Sequence, residues 1–287
     1  MHQPVLLTEV VEHLKPEPNH LLIDGTVGLG GHAQVLLARV LPGGRLLGID
    51  RDANNLASAR ERLSGFGNST VLVRGSYSEV KTLAYAHGFT HVNAILLDLG
   101  FSSVHVDDPS RGFSFAHEGP LDMRYDQSQA LTAGVIVNEW SQDELARIFR
   151  QLGEEPKAAR AAEAIVTCRR DARIETTLQL AQCLELVLPR MGKTHGATRV
   201  FQALRIAVND ELGELERALP DLVDLLVPGG RIAIISFHSL EDRLVKQFLK
   251  SRSDLHLVNK HVITPSQEEV RKNPRARSAK LRVAEKI

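Results

Sequence analysis

The sequence predicts an α/β fold, a Rossmann-like sheet interrupted by an all-helical insertion. Three observations predict it. Short apolar runs of the kind that form fully buried strands recur through the first hundred residues and again near the C-terminus. Helical patterns alternate with them at βαβ spacing. Between about residues 105 and 198 the strands stop and helical patterns take over. The expected organisation is one discontinuous unit, residues 1–104 with 199–287, carrying an inserted helical unit over 105–198.

Leu21-Leu22-Ile23 is the first buried-strand run, and Asp24-Gly25 ends it. Glycines 25, 28, 30 and 31 follow, and a helical pattern runs from Ala33 to Val40, ending at Pro42-Gly43-Gly44. Arg45 to Ile49 reads as a second strand closed by Asp50, with a helix over 54–63. Val71 to Val73 is a third strand, followed by a helix over 79–87. Ala94 to Leu97 is a fourth, closed by Asp98. A polar loop spans 107–126. Ser141 to Leu152 has a Ser cap with Glu144 at the capping-box position. Lys157 to Arg169 is rich in alanine, the best helix former. Thr177 to Leu188 has apolar residues at helical spacing. Arg199 to Leu226 is helical with a break expected near Pro220. A turn at 227–230 leads into a strand over 231–237, then a helix over 239–250. Closing strands are expected over 255–260 and 281–287.

Composition narrows the function classes. Of the 287 residues, 43% are hydrophobic and 24% charged, which describes a globular chain and excludes disorder. Lys plus Arg and Asp plus Glu are both 35, so any attraction to nucleic acid must come from a local patch. Met1 to Leu14 has no cationic start and is interrupted by Glu9 and Glu12, unlike a secretory signal. No apolar run approaches the roughly 20 residues of a membrane helix. A soluble cytoplasmic protein is expected. Cys168 and Cys183 match no zinc or redox spacing and read as unpaired buried thiols in a reducing compartment.

Asp24-Gly-Thr-Val-Gly28-Leu-Gly30-Gly31-His32 joins a strand to a helix, so its backbone can approach a ligand closely. Gly28, Gly30 and Ala33 fit the dinucleotide pattern G-x-G-x-x-A, which alone is a weak signal. Asp50, ending the second strand, suits the ribose of NAD and of S-adenosylmethionine equally. Asp24 discriminates between them. A carboxylate at the turn repels a pyrophosphate by roughly 1–4 kcal/mol at surface-like dielectric, and it attracts a ligand carrying an ammonium and a sulfonium. Asp98 joins Asp24 and Asp50 around the crevice where α/β sheets bind ligands. An NAD-dependent oxidoreductase and a non-catalytic RNA-binding factor on the same fold are the alternatives.

These residues, with others, resemble the MraW-type family of bacterial small-subunit rRNA (cytosine-N4) methyltransferases. The matching segments are His2-Gln-Pro-Val-Leu-Leu, the Asp24–His32 turn, Gly48-Ile-Asp-Arg-Asp52, and Ile95-Leu-Leu-Asp-Leu-Gly-Phe-Ser-Ser103. They continue with Arg111-Gly-Phe-Ser-Phe115, Gly119-Pro-Leu-Asp-Met-Arg124, Arg199-Val-Phe-Gln-Ala-Leu-Arg-Ile206 and Ser236-Phe-His-Ser-Leu-Glu-Asp-Arg243. They run in family order along essentially the whole chain. The resemblance implies a class I methyltransferase fold whose inserted domain recognises substrate. It implies S-adenosylmethionine contacts at Gly30, Gly31, His32, Asp50, Tyr77, Asp98 and His105, and no metal. Position 77 is more usually Phe in the family, and Ser102-Ser-Val-His105 stands where Ser-Ser-Pro-Gln is common. The implied activity is methyl transfer to N4 of a cytidine in the decoding region of 16S rRNA, with the small ribosomal subunit as partner.

N4 of cytosine is a poor nucleophile because its lone pair is delocalised into the ring. A catalyst must hold it in line with the methyl and accept its proton. Asp98, with the Leu99 and Gly100 carbonyls, is the candidate acceptor; a purely cofactor-binding Asp98 stays open. Phe237 is placed either to stack on a flipped base or in the core, with His238 and Ser239 beside it. The cations of 271–287, among them Arg275 and Arg277, read as a phosphate-binding run or a solvated face. Arg169, Arg170, Arg173, Lys193 and Arg199 add charge at the insertion. The loop carrying Arg111, Phe113 and Arg124 has the composition of a lid over the substrate.

Overall fold

The structure, a computed structural model, describes residues 4–189 and 195–287. His2, Gln3 and Lys193, named above, lie outside these. The chain divides into two compact units, Met1–Gly100 with Leu212–Ile287, and Phe101–Glu211. The helical unit therefore starts before 105 and extends past the expected 198. The helix Thr198–Asn209 belongs to it, because Val200, Phe201, Ala203, Leu204 and Val208 pack into the helical unit's own core.

In the sheet unit the strands are β1 Leu21–Asp24, β2 Arg45–Asp50, β3 Thr70–Arg74, β4 Val92–Asp98, β5 Leu226–Ser236, β6 Leu255–Leu257 and β7 Lys280–Lys286. Their order is β3-β2-β1-β4-β5-β7-β6, with β7 antiparallel to both neighbours and the other pairings parallel. Side chains alternate faces along each strand. Ile23, Leu47, Ile49, Ile95, Leu97, Ile232 and Ile234 enter one apolar cluster. Their neighbours Leu22, Leu46, Ala94, Leu96, Ala233 and Ile235 enter the other. A sheet covered on both faces needs apolar residues at both parities, which is why these strands read as continuous apolar runs.

Two details differ from the sequence reading. The helical stretch 199–226 breaks at Asp210, in the left-handed conformation at φ 49°, and not at Pro220. Pro220 lies inside the helix Glu211–Leu225. It and Glu216, four residues earlier, are both exposed, so the carbonyl a proline leaves without its helical donor lies on the solvent side of the helix. The 227–230 turn is a bulge within β5: Leu226 pairs with Val92 and Arg231 with Ala94.

The helical unit packs Leu145, Ile148, Phe149, Ala161, Ile165, Leu180 and Leu184 around one core. Ser141 caps its helix through the Glu144 N–H, with Glu144 returning the bond as expected. Cys168 and Cys183 are not free buried thiols. They are half-buried and joined as a disulfide between the helices Ala158–Asp171 and Thr177–Glu185, with Cα atoms 6.2 Å apart. The short link between the helices turns the chain back on itself, which residue spacing alone does not reveal.

Candidate active site

Strand register assembles the acids. Asp24 pairs with Gly48 on one side and Leu96 on the other, so Asp50 and Asp98 each project two residues beyond it. All three stand at the carboxyl ends of β1, β2 and β4. Here the order reverses, with β2 and β3 on one side of β1 and β4 on the other, the position where such sheets form a ligand crevice.

The turn after β1 is tied to both neighbouring strands. Gly25 N–H donates to Leu96 O at 2.9 Å and Val27 N–H to Ile49 O at 3.0 Å. Gly30 precedes the helix Gly31–Val40 in the left-handed conformation at φ 78°, which L-residues rarely adopt. Gly31 has a different reason to lack a side chain: a Cβ there would come 2.6 Å from Pro4 Cγ. The N-terminal segment thus lies on the turn. His32 Nε2 meets Val5 O at 2.8 Å, and Leu6 N–H donates to Glu269 Oε1.

Burial sets the electrostatics. Asp24 is 2% exposed, and desolvation pushes its carboxyl up to about 7; the Thr26 N–H bond opposes this and the Asp50 charge adds to it. Asp98 is pushed up to about 8 by burial, then by the charges of Asp24 and Glu241. Its Oδ2 lies 3.5 Å from His32 Nδ1. A carbonyl only accepts, so His32 Nε2 must carry a hydrogen toward Val5 O. In neutral imidazole Nδ1 then has none, which leaves a place for a proton between Nδ1 and Asp98. Asp98 Oδ1 is buried and accepts no hydrogen bond among the described residues. An uncompensated buried carboxyl is expensive and calls for a cation or donor from outside the chain. Asp50 accepts from Gly28 N–H at 2.9 Å, Asp52 N–H at 2.8 Å and Asn55 Nδ2 at 3.2 Å. These bonds fix the Asp50 carboxylate at the end of β2, where the sequence reading places the ribose. Tyr77 stands by the same turn, its Cβ 3.2 Å from the point where a Gly25 Cβ would sit.

The end of β5 adds a residue the sequence reading passed over. Glu241, 3% exposed, accepts from the Phe237 N–H at 2.9 Å and the His238 N–H at 3.3 Å. Its Oε1 is 3.1 Å from His238 Nε2, while His238 Nδ1 accepts from Glu241 N–H, a reciprocal cap on the helix Ser239–Ser251. Glutamate three residues after a cap is a recognisable signal, hidden here because the cap is histidine. Phe237 is half-buried beside Gly100, and Ser239 is exposed.

Two expected RNA contacts are occupied within the helical unit. Arg111 is 3% exposed and donates through Nη2 to the carbonyls of Arg124 and Tyr125. Arg124 grips Asp122 with Nε and Nη2 and donates through Nη1 to the carbonyls of Gln127 and Gln129. Asn209 further binds Met123 O and Tyr125 N–H. A loop fastened this way is a brace and not a free lid. Phe113 is half-buried and stacked with Tyr125 and with His105, whose Nδ1 accepts from Ser102 N–H. Arg199 is exposed and donates to Glu154 O.

The C-terminal cations divide. Asp242 takes Lys280 and Arg282, Lys286 donates to the carbonyls of residues 223, 224 and 226, and Lys272 pairs with Glu268. Arg271 and Arg277 are exposed, as is Arg275, which has a partner of its own.

The sequence model of the MraW methylase family matches residues 1–287. The chain belongs to the MraW methylase family. Among its relatives is a protein of Elusimicrobium minutum named ribosomal RNA small subunit methyltransferase H. It is 50% identical over 289 residues, covering 100% of this chain and 98% of the relative. A protein of the same name from Dictyoglomus thermophilum is 47% identical, covering 100% and 97%. The crystal structure of a "putative rRNA-methylase" from Clostridium thermocellum superposes with a TM-score of 0.51 at 13% identity, covering both chains fully. The fold is the Rossmann-like class I methyltransferase fold. This MraW-family chain is an S-adenosylmethionine-dependent methyltransferase, and the unpartnered Asp98 Oδ1, with the raised carboxyls of Asp24 and Asp98, fits a ligand of that charge.

Proposed function

We propose that the protein transfers a methyl group to N4 of one cytidine in the decoding region of 16S rRNA. The observation that carries this reading is Asp98, a half-buried carboxyl at the head of the crevice whose Oδ1 is buried and accepts no hydrogen bond among the described residues. The rRNA names of the relatives support the substrate class. When bound, S-adenosylmethionine supplies a methyl made electrophilic by its sulfonium. Asp24, Gly30, Gly31, His32, Asp50, Tyr77, Asp98 and His105 are the residues assigned to hold it. Asp50 takes the ribose hydroxyls, and Asp24 and Asp98 face its positive charges.

Asp98 Oδ1, with the Leu99 and Gly100 carbonyls, accepts the hydrogen of the incoming amino group. That localises the nitrogen lone pair and gives the proton a destination. A carboxyl whose pKa lies near neutrality is suited to this work. Glu241 holds the backbone of Phe237 and His238, so Phe237, His238 and the adjoining Ser239 can meet the flipped base. Arg275 and Arg277, with Arg199, are the candidate phosphate contacts. Phe113 serves the helical, substrate-recognising unit, and Arg111 and Arg124 serve it as braces. The small ribosomal subunit is the partner and the cytoplasm the place. No helix among the described residues is long and apolar enough to cross a membrane.

Nucleoside mass spectrometry of 16S rRNA from cells with and without the protein tests the reading. N4-methylated cytidine should disappear without it; an unchanged level would refute it. Asp98→Asn separates the two roles of that residue: transfer that stays lost at saturating S-adenosylmethionine supports the acceptor, and transfer restored by raising the cofactor concentration supports cofactor binding alone.

A further inference from the structure

Phe101 opens the helical unit with 41% of its surface exposed. A single exposed apolar side chain is ordinary. This one is held rigidly. The Arg205 guanidinium lies 4.7 Å over its ring. Arg205 is itself fixed by Glu211, with Nε to Oε1 at 2.8 Å and Nη2 to Oε2 at 2.9 Å, and the Tyr125 hydroxyl donates to the same Oε1. Phe113 flanks Phe101 at 6.1 Å, and behind it Phe113, Tyr125 and His105 pack against one another. Val104, 37% exposed and three residues on, widens the apolar surface.

We propose that Phe101, backed by Arg205, is a stacking platform for an unpaired nucleobase neighbouring the target cytidine. This rests on the rRNA reading above. The chemistry of the spot selects a base over a phosphate. Glu211 neutralises the guanidinium, so what is offered is a flat π surface with little net charge, and every base has a π face to place on it. A pre-set ring loses little freedom on binding. The chain also keeps the platform near the chemistry: Phe101 follows Asp98 by three residues, so their Cα atoms stand at most about 11 Å apart.

The test uses small subunits isolated from cells lacking the gene as substrate, and compares wild type, Phe101→Ala and Phe101→Trp. Phe101→Ala should lower kcat/KM for the subunit about 10- to 100-fold and leave the S-adenosylmethionine Kd unchanged. Phe101→Trp should restore most of the loss, which removal of a packing residue would not predict. An alanine variant within twofold of an active wild type would overturn the platform and leave the rRNA reading standing. A wild type that methylates no small-subunit rRNA would bring both down. Weaker binding of Phe101→Ala to subunits, with undiminished binding to a cytidine-containing single-stranded oligoribonucleotide, would assign the surface to a ribosomal protein and overturn stacking.

Discussion

Lowering the pH should weaken S-adenosylmethionine binding steeply, because the crevice must be ionised to receive a cation. Asp98 has a pKa of about 8 and Asp24 of about 7 in the ligand-free protein, both raised by burial. If the ligand binds only the ionised form of Asp98, going from pH 7 to pH 6 raises the apparent Kd about 9-fold. The same requirement at Asp24 contributes about 5-fold. Together they predict a weakening of about 50-fold over one pH unit, and uptake of more than one proton when ligand leaves. The ligand's own ammonium stays largely protonated over this interval. Isothermal titration calorimetry in two buffers of different ionisation enthalpy reads both quantities. Asp98→Asn should reduce the slope to the Asp24 share. A Kd that is flat between pH 7 and 6, or one that tightens on acidification, would refute the electrostatic argument.

Other expectations follow from the same contacts. A carboxyl whose folded pKa exceeds its unfolded value costs stability as pH rises between the two. Asp98→Asn should therefore stabilise the ligand-free protein more at pH 8 than at pH 5, by about 3 kcal/mol in chemical denaturation; equal effects would contradict the buried, raised Asp98. Gly31→Ala should displace Pro4 and with it the Val5–His32 bond, costing about 1–3 kcal/mol; an unchanged melting temperature would remove the N-terminal segment from the turn's support. Replacing Arg271 and Arg277 by Ala should flatten the log–log salt dependence of rRNA binding by about 1.4–1.8, and an unaltered slope would make these arginines a merely solvated face.

The parallel sheet was legible because a doubly covered sheet demands unbroken apolar runs, and β1, β2 and β4 supply them, each closed by its aspartate. The cluster of acids was legible for the same reason, since strand ends are marked by where those runs stop. What pairs with what at long range was not. Arg111 and Arg124 look in sequence like cations awaiting phosphate, yet backbone carbonyls brought up by the loop consume them. Lys280 and Arg282 look free until Asp242, 38 and 40 residues away, folds beside them. The cysteine pair and the end of the helical unit were missed because a tight interhelical link and a left-handed Asp210 leave no strong mark in composition.

Transfer of an isotopically labelled methyl from S-adenosylmethionine to undermethylated small-subunit rRNA by the purified protein puts the whole account at risk in one assay. After digestion and mass analysis, the label should sit in N4-methylcytidine at one site per subunit. Label on a ring carbon, on a ribose oxygen, or nowhere while the protein demonstrably binds the cofactor, would contradict it.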